Sequence, residues 1–105
     1  MTIWYVQKWV VSKGKEKDHE EAYKRLMEYG NANFIEIFQK MKIKLLAERL
    51  SDWPNRVFIT EHDNFAEWEK QFDILFNDED FLKLRDKWYR YVEANTWRGF
   101  FWQAL

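Results

Sequence analysis

The stretch Glu61–Phe72, EHDNFAEWEKQF, gathers the residue types best suited to chemistry in this chain. Asn64 stands four residues before Trp68, where a strand should turn into a helix. His62 lies between Glu61 and Asp63. An unperturbed histidine titrates near neutral pH, so His62 is a candidate base. Arg98 is a lone charge inside TWRGFFWQAL. On an apolar strand such a charge must be paired or face a polar cavity. Glu48 and Glu61 are candidate partners, and a bound anion is the alternative.

Each candidate also has a structural reading. Asn64 suits an N-cap, because its side-chain oxygen can accept a backbone N–H of the first turn. Glu67, three residues later, completes a capping box. Trp68 shares a helical stripe with Phe65, Phe72 and Leu75, which suits a core position, although a buried indole N–H still needs a partner. His62 can be a solvated turn residue. Its acidic neighbours point different ways along the chain, so no metal site is expected. His19, in KEKDHEE, reads as a solvated helix residue. The three glycines are too scattered for a phosphate loop, and without cysteine there is no thiolate nucleophile or disulfide.

The elements that must position these residues follow from periodicity. Residues 2–11, TIWYVQKWVV, read as a strand. Ile3, Tyr5, Trp9 and Val11 lie on one face and Trp4, Val6 and Val10 on the other, so both faces should be covered. A helix begins near Glu16, with Ala22, Tyr23, Leu26, Met27 and Gly30 on its stripe. It either caps at Gly30-Asn31, with Asn33 opening a second piece over 34–41, or runs on through Gly30. Residues 42–50 read as a strand, 51–55 (SDWPN) as a turn and 56–61 as a second strand, giving an antiparallel hairpin. Asn64 then opens a helix that Asn77-Asp78 interrupts. A further helix spans 79–93 with Phe81, Leu84, Trp88 and Tyr91 on its stripe. Residues 96–105 close the chain as a strand.

This order, β-α-β-β-α-β, predicts an α+β, ferredoxin-like domain over residues 1–105, with a four-stranded antiparallel sheet. Helices on one face leave the other bare. With aromatics at 20% of 105 residues, more apolar surface is present than so small an interior can hold. The expected solution is a homodimer of face-to-face sheets, an aromatic-lined ligand pocket, or both. A net charge of −1 with interleaved acidic and basic residues gives no footprint for nucleic acid. No signal segment or membrane-length apolar run is present, and a cysteine-free chain fits the cytoplasm.

VVSKGKEKDHEEAYKRL resembles the first strand, turn and first helix of the dimeric α+β barrel superfamily. SDWPNRVFITEHDNFAEWEKQF and FNDEDFLKLRDKWYRYV resemble its central hairpin with capped helix and its second long helix. The resemblance implies a dimeric α+β barrel. In the antibiotic biosynthesis monooxygenase-like branch, Asn, Trp, Tyr and Arg side chains hold a small aromatic substrate, which itself activates oxygen without a cofactor. Asn64 and Trp68 fall in suitable places for that branch, and Tyr23 and Arg98 are further substrate-binding candidates. The haem-degrading branch fits poorly. It needs an iron-ligating His on the second helix, where this chain has Arg85, and an Asn on the first strand, where it has Gln7.

The resemblance therefore implies a cofactor-independent monooxygenase-like enzyme acting on a small aromatic or quinol-type substrate. The catalytic candidates are Asn64, Trp68 and His62. The alternatives are a non-catalytic binder of a small apolar ligand and a structural dimer with a filled core.

Overall fold

The computed structural model describes residues 1–48 and 54–105. Its elements in chain order are β1 (Ile3–Val10), α1 (Glu16–Asn33), α2 (Ile35–Met41), β2 (Lys44–Glu48), β3 (Asn55–His62), α3 (Phe65–Phe76), α4 (Glu79–Tyr89) and β4 (Arg98–Gln103). The strands form one sheet in the order β2-β3-β1-β4, with every neighbouring pair antiparallel. This is the expected ferredoxin-like arrangement, with each of its helical crossovers broken in two. Leu50 and most of the expected 51–55 turn lie outside the described residues, while Asn55 already belongs to β3.

The first break comes at Phe34, not at Gly30. Helix α1 runs through Gly30 to Asn33, and Asn33 bonds back to the Tyr29 carbonyl instead of capping α2. Gly30 serves packing: a β-carbon there would stand 2.0 Å from the ring of Phe38 on α2. Gly30→Ala gains about 1 kcal/mol of helix propensity but overpacks this crossing, at a cost of about 1–3 kcal/mol. The expected result is net destabilisation, read as a lower urea midpoint. An unchanged or higher midpoint would show that Phe38 can move aside.

The second break is chemically explicit. Asp78 caps α4 by accepting the Phe81 N–H at 2.8 Å, and it also accepts the Tyr29 hydroxyl at 2.7 Å. Helix α4 ends at Tyr89, short of the expected 93. The following residues are claimed by the sheet: Ser12 N–H donates to the Tyr91 carbonyl, Glu93 N–H donates to Val10, and Val92 bridges Val11.

Alternation along the strands separates two faces. Tyr5, Gln7, Trp9, Phe58 and Thr60 face the helices, where Trp9, Phe58, Leu26, Phe38, Leu75, Phe81 and Trp88 join the core. Trp4, Val6, Ile59, Leu46, Phe100 and Trp102 occupy the opposite face. Among the described residues nothing covers that face fully, and Leu46 and Trp102 are each 47% exposed.

The helix-side core contains one polar centre that sequence periodicity misassigns. His19 is not solvated but fully buried. Its Nε2 accepts the indole N–H of Trp9 at 3.0 Å and that of Trp88 at 2.9 Å. Nε2 must therefore be unprotonated, so Nδ1 carries the hydrogen and donates it to the Glu20 carboxylate. Glu20 is in turn held by Arg56, whose Nε lies 2.9 Å away. Burial is the main influence on His19 and pushes its pKa below the usual histidine value, against the pull of Glu20.

Candidate functional site

Between the sheet and the helices lies a cavity of about 340 Å³. That is within the range of small-molecule pockets. Its floor comes from Tyr5 and Gln7 of β1 and Phe58 and Thr60 of β3. Its walls come from Leu26 and Met27 of α1, Phe38 and Met41 of α2, and α3 and α4, which present Trp68, Phe72, Phe76, Phe81, Arg85, Trp88 and Tyr89 together with the carboxylates Glu69 and Asp73.

The lining is mainly aromatic. Tyr5 meets Trp68 edge-on at 5.4 Å between centroids and Phe72 at 5.8 Å. Phe101 of β4 closes against Trp68 at 5.0 Å. The polar groups are few and placed. Gln7 Oε1 accepts both the Tyr89 hydroxyl and the Trp97 indole N–H, each at 3.0 Å. That double bond pattern fixes the amide, with its NH2 as a remaining donor. Burial pushes Tyr89 up to about 12, despite the opposing field of Arg85, so it is a neutral hydroxyl at ordinary pH. Gly99 permits the close approach of Trp97, since a β-carbon there would fall 2.6 Å from the indole and 3.2 Å from the Tyr5 hydroxyl.

Two donors lining this cavity are buried and unpartnered among the described residues: the indole Nε1 of Trp68 and the guanidinium Nε of Arg85. Arg85 lies over the Phe76 ring, 4.7 Å from its centroid, and 5.5 Å from that of Tyr89. Among the described residues its one side-chain acceptor is Asp86 at 3.3 Å, through Nη2. A buried donor left without an acceptor costs about 1–3 kcal/mol.

The structure disperses the other sequence candidates. Asn64 is exposed and caps α3: Glu67 N–H donates to its Oδ1 at 2.8 Å, while Glu67 Oε1 accepts from Asp63 N–H at 2.9 Å. Its side chain is not part of the cavity lining. Asn64→Ala is expected to lower stability by about 1 kcal/mol. It should leave ligand affinity for the cavity unchanged, and a large affinity loss with no change in melting temperature would give Asn64 a direct role. Tyr23 lies outside the lining, packed against Trp88 at 5.2 Å and Phe58 at 6.3 Å. Arg98 is exposed on edge strand β4, where its guanidinium donates to the carbonyls of Asn95 and Trp97. Its expected partners are taken: Glu48 pairs with Lys8 and Glu61 with Lys42.

His62 is not a turn residue but the buried end of β3. Its Nδ1 lies 2.6 Å from Gln71 Oε1 and its Nε2 lies 2.7 Å from Thr60 Oγ1. It does not itself line the cavity, whereas Thr60 does.

Arg85 and Gln7 are the lining residues that sequence reading passed over as ligand contacts. Both carried a signal. Arg85 falls four residues after Phe81 and three before Trp88, on the inward stripe of α4. Gln7 alternates with Tyr5 and Trp9 on the inward face of β1. A polar residue in an apolar period is the informative exception.

No protein-family model matches the sequence, and no curated protein matches it. Solved structures do match in shape. A NIPSNAP domain protein from Burkholderia xenovorans superposes with a TM-score of 0.77 at 13% identity, over 98% of this chain and 94% of that one. A candidate antibiotic biosynthesis monooxygenase from Nitrosomonas europaea gives 0.69 at 14% identity, over 99% and 90%. SnoaB, a cofactor-independent oxygenase from Streptomyces nogalater, gives 0.66 at 16% identity, over 99% and 93%. The chain thus has a ferredoxin-like α+β fold, similar in shape to NIPSNAP and antibiotic biosynthesis monooxygenase-like proteins.

Proposed function

We propose that this protein binds a flat phenolic or quinol-type molecule in the cavity and oxidises it with dioxygen as a cofactor-independent monooxygenase. The observation that carries this reading is the pair of buried, unpartnered donors, Trp68 Nε1 and Arg85 Nε, lining one aromatic cavity. Aromatic walls suit a flat ring. The two N–H groups, one cationic, suit an oxygen that becomes anionic during reaction. The substrate loses its hydroxyl proton and supplies the electrons. One atom of dioxygen enters the product and the other leaves as water. Similarity in fold to an oxygenase lends the reading support without carrying it.

The test is oxygen uptake with a panel of quinols, repeated on Trp68→Phe and Arg85→Met. Uptake by the wild type that collapses in both variants supports the assignment. Uptake that survives both would remove it.

A second reading, a binder without turnover, is favoured by the ties on two expected catalytic groups. The Asn64 oxygen is engaged in the helix cap, and the His62 ring is bonded at both nitrogens. Ligand-dependent quenching of tryptophan emission with no oxygen consumed would select it.

We further propose that the chain works in the cytoplasm as a homodimer joined through the bare sheet face. The support is the half-exposed Trp102 and Leu46 beside Trp4, Phe100 and Ile59 on one surface. No described helix is long and apolar enough to cross a membrane.

A further inference from the structure

We propose that Thr60 is a proton conduit between the cavity and His62: a substrate hydroxyl passes its proton to Thr60 Oγ as Thr60 passes its own to His62 Nε2. The proposal rests on the reading of the cavity as a site for a phenolic or quinol molecule.

The geometry sets the direction of every hydrogen. Gln71 Oε1 can only accept, so His62 Nδ1, 2.6 Å away, carries the ring hydrogen. His62 Nε2 is then a lone pair, and the Thr60 hydroxyl, 2.7 Å away, donates to it. A hydroxyl that donates one hydrogen retains lone pairs to accept another. Thr60 is 1% exposed and lines the cavity, and His62 is 1% exposed behind it. A cavity-lining residue therefore offers its hydroxyl to a buried basic nitrogen. Gln71, a buried polar residue on α3, holds the required tautomer.

The transfer balances. The substrate O–H bond breaks and the Thr60 Oγ–H bond re-forms. The original Thr60 hydrogen becomes the second ring hydrogen of His62. The products are a substrate oxyanion and an imidazolium. Trp68 Nε1 and Arg85 Nε supply unpaired donors for the anion. The cation keeps Gln71 as acceptor for Nδ1–H and Thr60 for Nε2–H. Its charged surroundings are Glu61 and Asp63 on its own strand and turn and Glu67 on α3. Lys40 of α2 pairs with Asp63 at 3.5 Å and also with Glu67, and Lys42 pairs with Glu61 at 2.9 Å. On β1 its partner is the apolar Ile3, and the Phe72 ring lies 5.9 Å away. Burial dominates and lowers the resting pKa of His62, with the carboxylates opposing. The ring is thus neutral when a substrate arrives, and the transfer draws on the ion pair it creates, with the oxyanion held by Trp68 Nε1 and Arg85 Nε.

The experiment uses para-nitrophenol, whose absorbance separates phenol from phenolate, at a pH where the free probe is mostly neutral. In the wild type the bound probe should be phenolate, and the His62 nitrogen NMR shifts should become those of an imidazolium. Nitrobenzene, which has no proton to give, should bind and leave His62 neutral. This comparison needs no variant. Thr60→Val, isosteric but without the hydroxyl, should lower the ionised fraction of the bound probe about tenfold or more. Thr60→Ser should restore ionisation. A bound phenolate in the wild type with His62 still neutral, or full ionisation in Thr60→Val, would overturn the conduit while leaving the cavity assignment intact. Failure of the wild type to bind the probe at all would overturn the cavity reading and the conduit together.

Discussion

Replacing His19 with leucine is expected to cost several kcal/mol and to leave the protein partly unfolded at moderate urea. The side chain fits the same buried space, so the loss comes from hydrogen bonds. Trp9 and Trp88 both donate their indole N–H to His19 Nε2, and both rings are buried. Leucine offers no acceptor, and each orphaned donor costs about 1–3 kcal/mol. The sum, about 2–6 kcal/mol, is a large part of the 5–15 kcal/mol that holds a typical domain together. Trp9→Phe in the same background should recover part of the loss by removing one orphan. A urea midpoint for His19→Leu within about 0.5 kcal/mol of wild type would show that the network carries no stability.

The same centre makes stability depend on pH. Burial lowers the folded pKa of both His19 and His62 below the unfolded value of about 6.5. Below that pH the unfolded chain takes up protons that the folded chain refuses. The contribution of each histidine is therefore complete above about pH 6.5 and is lost as pH falls from there toward the folded pKa. The slope reaches at most about 1.4 kcal/mol per pH unit for each histidine. Melting temperature should fall accordingly between neutral and mildly acid pH, less steeply in His19→Leu. A flat profile would count against neutral, buried rings.

Trp68→Phe and Arg85→Met are expected to abolish tight ligand binding without harming the fold. Each removes a buried donor atom that has no partner among the described residues and so relieves a cost, while the Arg85–Asp86 contact that Arg85→Met also removes lies at the surface and is worth little. Melting temperature should stay level or rise. Affinity for a phenolate-type ligand should fall about 10–100-fold for Trp68→Phe, the worth of one hydrogen bond to a charged group. Arg85→Met should cost as much or more, because the cation is lost as well. Such opposed effects on stability and binding mark a functional site. Melting curves and fluorescence titrations on the same samples decide it. A variant that melts several degrees lower yet binds normally would place that side chain in the core, not in a site.

Much of the architecture was legible before any coordinates. Strand alternation in IWYVQKWV, the Asn64 cap position, the Asn77-Asp78 interruption and the apolar stripes of α3 and α4 together dictate the element order. These are local signals, each satisfied within a turn or a strand. The site was legible only in part. Trp68 belonged visibly to an inward stripe, and the Asn64–Glu67 spacing announced its cap. His62 looked solvated because its sequence neighbours are acidic, yet β3 runs one residue further than expected and carries it inside.

What the sequence alone determined is therefore which face of each element turns inward, since periods of 2 and 3.6 residues are written in the side chains themselves. What only the tertiary structure decided is which polar atoms meet. His19 finds its second indole 69 residues away, and Gln7 is fixed by donors 82 and 90 residues distant. Among the described residues, Arg85 Nε and Trp68 Nε1 are left without a partner around one cavity. Hydrogen-bond partners are set by distances of about 3 Å between elements, and no period along one chain segment encodes them.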